Sequence, residues 1–220
     1  MNFLRETQYL LSKEIRLEWR QRYAISGILL YVFSTVFVVY ITLGQQIGGA
    51  VWGAFFWVIV LFASVNAITK SFVQENSKRQ LYYYTLSNPM AVIVSKMLYN
   101  SLLLLLIATL AYGVFSILMG NPIVYADIFW LTILLGSLGF GITFTFISAI
   151  SSQASQSATL MAVLSFPVVL PILMILLKLT KLALNLMTDT AYYTDMLMLL
   201  LIDVILGSLI IILFPYLWRD

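Results

Sequence analysis

Residues 23–69 read YAISGILLYVFSTVFVVYITLGQQIGGAVWGAFFWVIVLFASVNAIT, a stretch with no Lys, Arg, Asp or Glu. A helix made from it cannot face water, because soluble domains carry roughly 25% charged residues to build a polar surface. A helix rises about 1.5 Å per residue, so a hydrocarbon layer about 30 Å thick takes roughly 20 residues to cross. The turn signal Gly44-Gln45-Gln46-Ile47-Gly48-Gly49 divides the stretch into two segments of that size, residues 23–43 and 50–69. Further along, residues 97–177 contain Asp127 as their only charge. Cuts at Gly120-Asn121-Pro122 and at the polar turn Ser151 to Ser157 predict spans over 97–119, 127–150 and 158–177, and a last apolar run gives 195–218. The expected fold class is therefore an all-α integral membrane protein with six transmembrane helices, a single membrane domain over residues 1–220. Barrel strands are excluded, since the runs are too long and lack alternation with period two.

The whole composition agrees: 62% of residues are hydrophobic, 10% are charged, and mean hydropathy is +0.99. Soluble enzymes, secreted scaffolds and nucleic-acid binders do not have such chains, so no nucleic-acid partner is expected. The net charge of +3 comes from bases at the edges of the apolar runs. There is no Cys and no His, which removes disulfides, thiolate zinc sites, imidazole bases and imidazole ligands to haem. Arg5, Lys13, Arg16, Arg20 and Arg22 precede the first span, Lys70, Lys78, Arg79 and Lys96 lie between the second and third, and Arg219 follows the sixth. Only Lys178 and Lys181 fall between the spans on the other side, so the positive-inside rule places both termini in the cytoplasm. Trp52, Trp130 and Trp218 stand near span ends, where interfacial aromatic belts form.

Residues 1–22 are too charged to insert and lack the apolar region of a signal peptide. Wound as a helix, they put Arg5, Lys13, Arg16 and Arg20 on one side and Phe3, Leu4, Leu10, Leu11, Ile15, Leu17 and Trp19 on the other. Such a helix suits the inner membrane interface, anchored by Arg5, Lys13, Arg16, Trp19 and Arg20 among anionic lipid headgroups. Glu14 and Glu18 intrude on its apolar side, as they would in a helix packed on a partner.

Between the second and third spans, residues 70–96 form the only sizeable cytoplasmic loop. Glu75, Lys78 and Arg79 lie on one helical turn, and Tyr82, Tyr83 and Tyr84 follow Leu81, an amphipathic surface suited to docking. Asn88 before Pro89 predicts an N-cap and the start of a helix running into the third span. In the fifth span Pro167 and Pro171 share a face and free the carbonyls of Val163 and Pro167, a pattern for a hinge or a path lining. Asp203 lies about 12 Å deep in the sixth span, where an acid must face the bundle interior or water, with Asn66 of the second span as a candidate partner. Gly136, Gly139 and Gly141 lie within an apolar span and therefore signal close helix packing. There is no phosphate-binding loop and no nucleophile with a base, so the chain is read as a non-enzyme, and an ATP-driven role needs a separate subunit.

Three stretches carry a resemblance to a known family. They are Glu14-Ile15-Arg16-Leu17-Glu18-Trp19-Arg20-Gln21-Arg22-Tyr23, then Phe72-x-x-Glu75 with Leu81, Pro89 and Lys96, and Leu164-Ser165-Phe166-Pro167-Val168-Val169-Leu170-Pro171. Across essentially its whole length the chain resembles the CcmB family, the type-2 ABC permease subunits of c-type cytochrome maturation. The resemblance implies a multi-pass protein of the bacterial inner membrane whose loop between spans two and three docks on a CcmA-like ATP-binding subunit. Glu75, Lys78, Arg79 and the three tyrosines fall at that position. It further implies CcmC-like and CcmD-like membrane partners, a CcmE-like haem chaperone, ATP bound only by the partner and haem as cargo of the complex. With no cofactor expected on this chain alone, a conformational transducer fits better than a subunit that ligates haem iron. The alternatives are a type-2 permease for a lipid or drug, a proton-coupled secondary transporter for which Asp203 would be indispensable, and a structural assembly factor.

Overall fold

The computed structural model describes residues 3–20, 22–44, 47–73, 88–151, 157–188 and 191–217. Seven helices run through these residues: α1 (Phe3–Arg20), α2 (Arg22–Leu43), α3 (Gly49–Val73), α4 (Pro89–Met119), α5 (Ala126–Ser151), α6 (Ser157–Ala183) and α7 (Tyr192–Leu217). Six of them, α2 to α7, are long and apolar enough to cross a membrane, and the described residues contain no strand. The all-helical, six-span expectation is met.

Helix α5 is the axis of the bundle. Its span is 72% buried, against 17% for α2, which lies at the periphery. The reason is its glycines, each of which admits a different neighbour. A Cβ at Gly136 would stand 2.8 Å from both Leu176 Cδ2 of α6 and Trp57 Cη2 of α3. One at Gly139 would stand 2.6 Å from Asp203 Oδ1 of α7, and one at Gly141 would stand 2.7 Å from Ser101 Cα of α4. In a membrane, where apolar surface gains nothing by leaving lipid, such close backbone approach is what drives helix association.

The two ends of the bundle have different cores. At the end reached by the last turn of α4, Trp52 stacks on Phe56 with centroids 5.6 Å apart and meets Phe115 edge-on at 5.1 Å, while Phe129 closes on Phe56 at 5.5 Å. Trp52 Nε1 donates to Gly120 O at 3.3 Å, and Trp57 Nε1 donates to Thr180 Oγ1 at 2.7 Å. Trp52 is therefore a core residue and not an interfacial anchor, being only 1% exposed, whereas Trp130 is exposed. The opposite end is polar inside: Ser95, Asn100 and Ser101 of α4 and Thr145, Ser148 and Ser151 of α5 are all buried. There Asn100 Nδ2 donates to Thr145 Oγ1 at 2.8 Å.

One boundary differs from the sequence expectation. Lys178 and Lys181 are expected in a loop, yet they lie in the last turns of α6, which ends at Ala183, whereas the helix expected from Pro89 into the third span carries Lys96 two turns inside α4. Lys178 Nζ meets Asp195 of α7 at 2.7 Å, so its charge is neutralised at the bundle edge. The helix start at Asn88 is as expected: its side chain accepts from Met90 N at 3.0 Å with Pro89 next in line.

Candidate functional site

At 31 residues, α4 spans about 46 Å, more than a hydrocarbon layer of about 30 Å. The excess has to emerge from the hydrocarbon, and α1 packs beside its first turns. Glu6 Oε1 accepts from Asn88 N at 2.8 Å, and Glu14 Oε1 lies 3.7 Å from Lys96 Nζ. Both partners advance by eight residues, so the two helices run side by side in the same direction. The Glu6 carboxylate thereby satisfies a donor at the positive end of the α4 dipole. Lys13 Nζ approaches the same Glu14 oxygen at 3.4 Å.

This arrangement explains the misfit of Glu14 on the apolar side of α1. The helix has three faces. Thr7 is buried and Leu10, Leu11, Glu14 and Leu17 are half-buried toward the bundle, Leu4 and Ile15 are exposed apolar residues, and Arg5 and Arg16 are exposed bases with Lys13 half-buried. The side chains of Trp19 and Arg20 lie outside the described set, as do Glu75, Lys78, Arg79, Tyr82, Tyr83 and Tyr84. Those last six belong to the segment that joins Val73 of α3 to Asn88, the residue gripped by Glu6.

Among the described residues Lys96 and Asp203 are the charged side chains that the bundle buries. Sequence reasoning placed Asp203 correctly inside the bundle but chose the wrong neighbour. Asn66 is exposed and donates to Phe62 O of its own helix at 3.0 Å, so it is not brought to Asp203. The carboxyl lies instead against Gly139. Pro167 and Pro171 do share a face, together with Val163, Phe166 and Met174, but that face is exposed. They therefore line no path through the interior of this one chain. The Glu14–Lys96 pair was missed, although two signals pointed to it: an acid misplaced on an amphipathic helix, and a lysine seven residues beyond a strong N-cap.

A family model described as CcmB protein matches residues 5–216. The chain belongs to the CcmB family. CcmB proteins are membrane permease subunits of the haem-exporter ABC type in cytochrome c maturation, and the match takes in nearly all of α1 and of α7. As a CcmB chain it is a multi-pass membrane protein, and its family associates with an ABC ATPase and other maturation components. No curated protein matches the chain.

Proposed function

We propose that this CcmB chain receives mechanical work from a separate ATP-binding subunit docked on residues 74–87 and passes it, through the α1–α4 junction, into the bundle. The work drives haem transfer and release of the haem-loaded, CcmE-like chaperone, with CcmC-like and CcmD-like subunits alongside. The observation that carries the reading is the two-point grip of Glu6 and Glu14 on the first turns of α4, directly after the proposed docking segment. A push on that segment cannot move the start of α4 without moving α1. The docking residues are Glu75, Lys78, Arg79, Tyr82, Tyr83 and Tyr84. The protein sits in the bacterial inner membrane with both termini in the cytoplasm, a reading supported by the bases of α1 and of the docking segment. Arg5 and Arg16, both exposed, face the anionic headgroups there.

Charge reversal at Glu75 is expected to reduce co-purification of the ATP-binding subunit severalfold while membrane insertion stays normal. Undiminished co-purification would remove the docking assignment. Pro167 and Pro171 leave two carbonyls of α6 without their helical donors and soften the helix at that point. Changing both to alanine is expected to leave ATP hydrolysis running but to lower covalent haem attachment to c-type cytochromes, read by haem staining. Unchanged staining would show that α6 need not bend.

A further inference from the structure

Nothing in the docking and transmission scheme uses Asp203, yet its surroundings are specific. The residue is 6% exposed, and neither carboxyl oxygen has a hydrogen-bond partner among the described residues. It presses on the backbone of α5 at Gly139, where Ile172 of α6 closes a further side. One turn further on, a cavity of about 170 Å³ opens between α5, α6 and α7, lined by Thr143, Phe146, Ile147, Leu164, Val168 and Leu206. Thr143 follows Gly139 by one turn on α5, and Leu206 follows Asp203 by one turn on α7, so the cavity adjoins the carboxyl along the same crossing. The Thr143 hydroxyl is buried and has no partner among the described residues. Apart from that hydroxyl the lining is apolar, so the space stays dry while the crossing is closed.

We propose that Asp203 is a proton-binding site of the bundle, neutral while α5 and α7 are closed at Gly139 and ionised when that crossing opens to water. A bare carboxylate in hydrocarbon is expensive, so a closed crossing selects the acid form. The charged and titratable groups of the elements around it do not offer an alternative. Helix α4 brings Lys96, which is held by Glu14, and Tyr99; α5 brings only Asp127, at its opposite end; α6 brings Lys178 and Lys181 in its last turns, and Lys178 is held by Asp195 of α7 itself. A metal ion is a poorer occupant than a proton, since hard cations take six or more oxygens and this lining supplies one hydroxyl. The proposal is independent of the cargo that the permease moves.

Infrared difference spectroscopy on the purified chain with its ATP-binding subunit in lipid nanodiscs tests it. The carbonyl stretch of a protonated carboxyl should be present at neutral pH, disappear as pH is raised, and be missing from Asp203→Asn. No such band at neutral pH, or the same band in Asp203→Asn, overturns the proposal. Disappearance of the band on adding sodium at constant pH overturns it in favour of a metal site. If Asp203→Asn does not fold, Gly139→Ala serves: its methyl displaces the carboxyl from α5 and should change the pH at which the band is lost. An unmoved titration also overturns the proposal.

Discussion

Gly141→Leu is expected to destabilise the bundle severely. Even one added carbon would lie 2.7 Å from Ser101 Cα and 2.9 Å from Ser101 N, which are backbone atoms of α4 that no rotamer change can move. Opening the α4–α5 crossing would also break the Asn100–Thr145 hydrogen bond beside it. Overpacking costs roughly 1–3 kcal/mol and a lost buried hydrogen bond about another 1–2, together a large share of a stability of about 5–15 kcal/mol. Thermal unfolding in detergent should show a midpoint far below that of the unaltered chain. Gly113→Ala is the matched control, because a Cβ there meets nothing within 4 Å and removing a helical glycine gains up to about 1 kcal/mol. Equal midpoints for the two variants would mean that α4 and α5 do not touch as described.

The second large effect concerns the α1 clamp. Glu14→Lys places a third cation beside Lys13 and Lys96, and the Lys96 side chain is only 7% exposed. Breaking a buried ion pair costs about 3–5 kcal/mol, and the partial exposure of this one argues for about 3. The loss falls on α1 docking, not on the six-span bundle. Since the chain contains no cysteine, a single Thr7→Cys makes a clean reporter: Thr7 is buried in the α1 contact and should become reactive when α1 lifts off. About 3 kcal/mol corresponds to roughly 100-fold faster thiol labelling. Adding Lys96→Glu to Glu14→Lys should restore most of the protection. Labelling that is equally slow in the single variant would dissociate Glu14 from the clamp.

The architecture was legible because charge-free runs of membrane length have no other solution, and Asn88-Pro89 and the α5 glycines carried their local meaning unaided. Lys178 and Lys181 were misplaced because reading charges as loop markers assumes that each must reach water. Lys96 and Lys178 reach carboxylates instead, on α1 and α7. Those pairings join residues distant in sequence, and no local pattern announces them. Trp52 failed for the same kind of reason, its N–H being satisfied by the carbonyl of Gly120 far along the chain. The neighbour of Asp203 was sought among polar residues, whereas the space that accommodates it comes from the absence of a side chain at Gly139. Exposure of the Pro167–Pro171 face depends on how α6 is rotated in the bundle, which the spacing of two prolines does not determine.

The pinch between Ser101 and Gly141 has a mechanical corollary. It divides α4 unequally, with about 20 Å of rod between it and Asn88 and about 27 Å between it and Met119. A stiff rod tilting on that fulcrum multiplies a displacement of about 1 Å at the gripped end to about 1.4 Å at the other, with reversed direction. The aromatic end of the molecule would thus swing farther than the end that is pushed, and in the opposite sense.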